Sequence, residues 1–131
     1  MSFSVSPPSS PVYLLSYPAE GVLLVTINRP RQMNSIGFQG HWDFEKLWRW
    51  FEHEGSLQVA IITGAGEKAF CAGQDLLEVQ RNKLNPPTEL YMQSHPPSGF
   101  AGISERRGKK PIIAAVNGFA FGGGFEICLN W

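Results

Sequence analysis

The chain has 131 residues, 43% of them hydrophobic, and its eleven basic residues balance eleven acidic ones. That length suits one compact domain with an apolar core. The balanced charge argues against a nucleic-acid or membrane-surface partner held by electrostatics, and no apolar run reaches the roughly 18 residues of a membrane span.

Residues 1–11 are Ser/Pro-rich and carry no Lys or Arg. They read as a mobile leader, without the charged region of a secretory signal or the arginines of a mitochondrial presequence. Residues 12–131 are expected to form the folded part. "VYLLSY" (12–17) and "GVLLVTINRP" (21–30) read as two strands joined by a short turn, the second ended by Pro30. Asn34 or Ser35 can then cap a helix in which Phe44, Leu47, Trp48 and Phe51 recur with helical period, and Gly55 closes it. His41 and Glu45 fall on its polar face and are expected to be solvated, while Phe38 and Trp42 have no assigned place.

"LQVAIITG" (57–64) reads as a strand buried on both faces. "EKAFCAG" (67–73) suits a second short strand, and "QDLLEVQRN" a brief helical turn. Residues 82–108, with two Pro-Pro pairs and a charged end, make a long loop with room for one helix, of the kind that serves as a functional cover or forms a mobile segment. "PIIAAVNG" (111–118) is another buried strand, and "GGGFEICLNW" opens a helix. The order β-β-α, β-β-(α), β-α puts the chain in the α/β class. The last helix has almost no polar face and no C-cap, so the chain reads as cut within its fold.

Two stretches carry chemistry. In "NGFAFGGGFE" a strand feeds a glycine turn and a helix, which leaves backbone N–H groups aimed where a negative oxygen could sit. The alternative is tight helix–strand packing around residues without side chains. "ITGAGEKAFCAGQDL" (62–76) repeats the arrangement, with Gln74 and Asp75 opening a helical turn. One amide from each loop would make a two-donor oxyanion hole. Glu126 lies three residues past Gly123, between Phe125 and Ile127. Poor solvation there would raise its pKa and suit it to proton transfer; the alternative is a carboxylate stabilising the positive end of its own helix.

At these residues the chain resembles the enoyl-CoA hydratase/isomerase, or crotonase, superfamily. The resemblance rests on "NRP…NS" (28–35), "ITGAGEKAFCAGQDL" (62–76) and "KKPIIAAVNGFAFGGGFEICLN" (109–130), which occur in the family's order. It implies an incomplete ββα spiral, corresponding to the family's N-terminal half. It also implies an acyl-CoA thioester as partner, with the N–H groups of Gln74 and Gly123 as hole donors. The matching CoA contacts run from Lys68 through Ala69, Phe70, Ala72, Gly73 and Asp75 to Leu76, with Ala72 and Leu76 foremost and Gly122 beside the hole. Glu126 matches the first of two hydratase glutamates, which helps position and deprotonate the added water. The second falls roughly twenty residues beyond Trp131, as do the helices that build a trimer or hexamer. The chain by itself is therefore expected to show little hydratase activity. No cofactor is implied beyond the coenzyme A that the substrate carries. Isomerase or acyl-CoA hydrolase chemistry, or a non-catalytic binding chain, are the alternatives within this reading.

Other signals are weaker. "GAGEKA" (64–69) fits a dinucleotide fingerprint, but "AFCAG" interrupts the helix it requires. Cys71 reads as a small buried residue rather than a nucleophile. Cys71 and Cys128, without C-x-x-C spacing, point to a reduced, intracellular setting, cytoplasmic by default, with mitochondrial or peroxisomal placement left open. His41, His53 and His95 form no metal pattern. "RRGKK" (106–110) reads as a solvated loop or as a contact for the 3′-phosphate of CoA.

Overall fold

The computed structural model describes residues 3–129. Met1, Ser2, Asn130 and Trp131 lie outside the described residues, and with them the apolar Trp131 expected at the end of the last helix. In chain order the elements are β1 (Tyr13–Ala19), β2 (Val22–Ile27), α1 (Phe38–His53), β3 (Val59–Gly64), β4 (Ala69–Cys71), α2 (Leu76–Leu84), β5 (Ile112–Ala114), β6 (Phe119–Ala120) and α3 (Gly123–Leu129). Short 3₁₀ turns lie at Pro30–Gln32, Leu90–Gln93 and Phe100–Gly102.

β1 and β2 form an antiparallel hairpin, and β2, β3 and β5 continue the sheet in parallel. Leu23, Val25, Ile27, Ala60 and Ile62 point into the core, where they meet the α1 stripe of Phe44, Leu47, Trp48 and Phe51. β3 therefore alternates between buried and half-buried residues instead of being buried on both faces as expected. Its period is two because the core lies against one face only. The strand expected over 111–118 is shorter, since Asn117 turns out of it. The Asn117 side chain accepts from the Gly64 N–H at 3.0 Å and donates to the carbonyls of Gly66 and Ala69.

A second, two-stranded sheet pairs β4 with β6 in parallel, Ala69 opposite Phe119 and Cys71 opposite Ala120. The sequence reading lacks β6. Two residues between glycines carry no strand signal of their own, and the pairing comes from β4.

The helix ends also differ from expectation. α1 starts at Phe38, with Gly37 at the N-cap and no side-chain cap of its own. Asn34 adopts left-handed backbone at φ 58° and ties loops together instead, accepting from the Arg29 N–H and donating to the carbonyls of Ala65 and Ala69. The Phe38 N–H is taken by Glu78 Oε1 of α2 at 2.8 Å. At the other end Lys110 Nζ donates to the carbonyls of Phe51 and Glu54 at 2.7 and 2.6 Å, so a distant lysine, rather than Gly55, satisfies the last turn.

Residues 3–11, expected as a leader, run back against the domain. Phe3 packs on Tyr17 and Trp50, and Ser10 Oγ donates to Asp43. Glu54 accepts from the N–H and hydroxyl of both Ser56 and Ser4, and these donors hold its carboxyl down to about 2.

Candidate active site

β4 and β6 run side by side and in the same direction, so the turns that follow them open at the same end. Each turn leads into a helix, α2 after β4 and α3 after β6. This is the end of a parallel α/β arrangement at which ligands collect. The two turns touch through their backbones. Gly73 has φ 101°, and a Cβ built on it would stand 2.9 Å from the Phe121 carbonyl oxygen and 3.6 Å from the Gly123 nitrogen. Gly122 needs the left-handed region at φ 52°. A side chain on Gly123 would overlap the Phe100 ring, and one on Gly124 the Cys71 carbonyl. Packing and turn geometry thus account for all three glycines of the run.

The same geometry leaves two amides over. Among the described residues, no acceptor takes the backbone N–H of Gln74 or that of Gly123. Around Gln74 the main chain is held by a parallel bridge to Ile36, with the Ile36 N–H donating to the Gly73 carbonyl and the Asp75 N–H to the Ile36 carbonyl. The bridge fixes the peptide while sparing its N–H. Gln74, Gly123 and Glu126 line one cleft of about 510 Å³, together with Phe38, His95 and Phe100. Phe38, unassigned from the sequence, is a wall of this cleft.

Glu126 is exposed, which corrects the expectation of a poorly solvated carboxylate. Of its apolar neighbours only Ile127 turns into the core; Phe125 points outward at 54% exposure. Neighbours in sequence on a helix do not share a face.

The residues expected at the CoA contacts occupy varied positions. Ala69 and Phe70 are core side chains and offer only their backbone. Lys68 is exposed and lines a separate cleft with Pro30, Arg31 and Gly66. Ala72 donates its N–H to the Met33 carbonyl at 3.0 Å, and Leu76 is 75% exposed. Asp75 caps α2, accepting from the N–H groups of Leu77 and Glu78, and pairs with Arg29 at 3.3 Å. Gly73 and Gly122 shape the turns beside the two amides.

The histidines change the picture most. His41 was expected to be solvated but is fully buried, and Glu45 is buried beside it. The 3₁₀ turn at Phe100–Gly102 folds over this face of α1, with the Ala101 N–H donating to His41 Nδ1 at 2.9 Å. His41 Nε2 lies 2.8 Å from Gln74 Oε1, and His95 Nε2 lies 3.0 Å from the same oxygen. Burial lowers the His41 pKa to about 4; the hydrogen bond to Gln74 opposes the shift and a charge on His95 adds to it. Trp42, also unassigned, donates its indole N–H to the Ser94 carbonyl and so anchors the segment that carries His95.

The remaining signals resolve as follows. Burial pushes the Cys71 thiol up to about 12, which keeps it protonated and a poor nucleophile. No helix follows Gly66; the chain runs into β4 instead, against the dinucleotide fingerprint. In "RRGKK", expected as solvated or CoA-binding, Arg106 pairs with Glu52 at 2.7 Å and Lys110 caps α1. Among the described residues no group of three or more His, Cys, Asp or Glu is arranged to hold a metal, and no helix is long and apolar enough to cross a membrane.

Comparison with known proteins gives the chain's family and fold. The family model for enoyl-CoA hydratase/isomerase matches residues 18–130. The mevalonyl-coenzyme A hydratase of Aspergillus fumigatus is 48% identical over 117 residues, 89% of this chain and 42% of that protein. The (E)-benzylidenesuccinyl-CoA hydratase of Thauera aromatica is 41% identical over 108 residues, 82% of this chain and 40% of that protein. Among solved structures, a carnitinyl-CoA hydratase from Mycobacterium avium superimposes with TM-score 0.76 at 34% identity, covering 91% of this chain and 43% of that one. The chain spans about two fifths of the length of these relatives. Its fold is accordingly an incomplete crotonase-like ββα spiral. The chain belongs to the enoyl-CoA hydratase/isomerase family.

Proposed function

We propose that the cleft binds the thioester of an acyl-CoA and that its chemistry is of the hydratase type. The thioester oxygen sits between the N–H groups of Gln74 and Gly123. When water adds across a 2-enoyl-CoA, its oxygen bonds to C3 and the electron pair of the double bond moves toward the thioester oxygen. The two amides stabilise the resulting enolate. Glu126 takes a proton from the water and returns one to C2, so that water ends as a C3 hydroxyl and a C2 hydrogen. Donors fixed before the reaction need no reorganisation as charge develops, which is why such pairs matter for rate. The coenzyme A enters with the substrate, and no further cofactor takes part.

One observation carries this reading: two backbone amides from adjacent parallel strand–turn–helix units have no acceptor among the described residues and line the same cleft as a carboxylate. The relatives named above act on CoA thioesters by their names, and hydration recurs among them. The exposure of Glu126 favours binding over turnover for this chain by itself. A saturated acyl-CoA labelled with ¹³C at the thioester carbonyl tests the hole directly. Binding between two amides polarises the carbonyl and should shift its resonance downfield; binding with an unchanged resonance would refute the hole. In a spectrophotometric assay with crotonyl-CoA the purified chain should turn over far more slowly than a full-length family member.

A further inference from the structure

The cleft contains an imidazole that this chemistry does not use. Three hydrogen bonds fix the protonation of the group around it. The Ala101 N–H donates to His41 Nδ1, so the neutral, buried His41 carries its proton on Nε2 and donates it to Gln74 Oε1. That sets the Gln74 carboxamide with its oxygen, not its nitrogen, toward the imidazoles. His95 Nε2, 3.0 Å from the same oxygen, must then be a donor too. A neutral imidazole protonated on Nε2 presents Nδ1 as an acceptor. Among the described residues His95 Nδ1 has no hydrogen-bond partner, and His95 is exposed on the cleft wall shared with Gly123 and Glu126. Ring contacts with His41 at 4.6 Å, Phe38 at 5.7 Å and Phe100 at 6.0 Å hold it there. The ring lies one glutamine side chain away from the Gln74 N–H. Because the ring bonds the end of the Gln74 side chain and not its backbone, the acyl-CoA reading sets it to one side of a thioester carbonyl held by the Gln74 N–H.

We infer that His95 is a specificity-determining residue whose Nδ1 accepts a hydrogen bond from a hydroxyl on the acyl chain near C3. An acceptor on the wall selects a group that brings its own hydrogen. The site then prefers a 3-hydroxyacyl-CoA to the same acyl-CoA without the hydroxyl. This inference rests on the acyl-CoA reading of the cleft.

The test is calorimetric titration of the full chain at pH 8 with 3-hydroxybutyryl-CoA and with butyryl-CoA. One neutral hydrogen bond predicts a preference of about fivefold for the hydroxylated ligand. His95→Phe keeps the ring packing and should cut the preference about fivefold by weakening 3-hydroxybutyryl-CoA alone, any remainder belonging to Glu126. His95→Asn, which can place an oxygen near the Nδ1 position, should retain part of what His95→Phe loses. An unmodified chain that binds both ligands equally, or a His95→Phe variant that keeps the whole preference, overturns the inference. If the unmodified chain binds neither ligand, the acyl-CoA reading itself fails and the inference with it. If His95→Phe binds neither, the ¹⁵N resonance of His95 Nδ1 in the unmodified chain decides. It must move with 3-hydroxybutyryl-CoA and not with butyryl-CoA, and an unmoved resonance overturns the inference.

Discussion

His41 has both ring nitrogens committed, one accepting from Ala101 and the other donating to Gln74, so a second proton on the ring would displace the Ala101 amide. Its pKa falls from 6.5 to about 4 in the folded chain, chiefly through burial. The unfolded chain takes up a proton near 6.5 that the folded chain refuses until near 4. The stabilisation is therefore complete above 6.5 and is lost as pH falls from 6.5 to 4. At about 1.36 kcal/mol per pKa unit, this group alone costs about 3 kcal/mol across that window. Urea unfolding at pH 7.5 and 4.5 should show the loss in the native sequence and a smaller one in His41→Phe. Equal losses in both would assign the pH dependence to other groups. None of this was legible in the sequence, where His41 and Glu45 sat on a polar helix face. Their burial depends on residues 60 positions away, and Gln74 meets its two histidines across separations of 33 and 21. Periodicity reads a helix face but not what a distant loop lays over it. The residues that the family resemblance marked, Gln74, Gly123 and Glu126, do share a cleft, because local strand–turn–helix order puts each near its turn.

At the scale of elements, the apolar stripe of α1 and the Asp75 start of α2 were readable because both are local signals. The start of α1 was not, because its first N–H is satisfied by Glu78 from another helix. A carboxylate at a helix N-terminus is favoured by both the hydrogen bond and the helix dipole. Glu78→Ala should cost about 1 kcal/mol in chemical denaturation, whereas Glu78→Asp, too short to reach, should lose most of the same amount. The pairing of the two strand–turn–helix units depends on a closer contact. A Cβ on Gly124 would meet the Cys71 carbonyl, which is backbone of β4 and cannot rotate away. Gly124→Ala should therefore destabilise by about 1–3 kcal/mol despite the better helix propensity of alanine. It should also perturb the amide resonances of both Gln74 and Gly123, because the two turns are braced against each other. A gain in stability on this substitution would mean that the units pack less tightly than described.

Across the whole molecule, apolar surface is distributed unevenly. The hairpin and α1 side encloses a continuous core, while the end formed by β6 and α3 exposes Phe119 at 58%, Phe121 at 53%, Phe125 at 54% and Leu129 at 64%. Phe119 and Phe121 stack on one another at 5.6 Å, so they present a shared apolar surface rather than two isolated rings. β5 adds a sheet edge unpaired among the described residues, with Ile113 at 53% exposure. Exposed aromatic surface beside a free strand edge is the combination that drives association between chains. The sequence shows α3 with almost no polar face, and its two exposed apolar positions, Phe125 and Leu129, lie four apart on one face. Burying a phenylalanine contributes roughly 1.5–3 kcal/mol, so rings contributed by both partners and buried together favour self-association. Sedimentation velocity over a dilution series should show mass increasing with concentration. Replacing Phe119 and Phe125 together by serine should shift the distribution toward monomer while leaving the core and the Gln74–His41 pair intact. A monodisperse monomer at 50–100 µM (about the upper end of such a series) in the unsubstituted chain would show that these rings are covered by some rearrangement of β6 and α3.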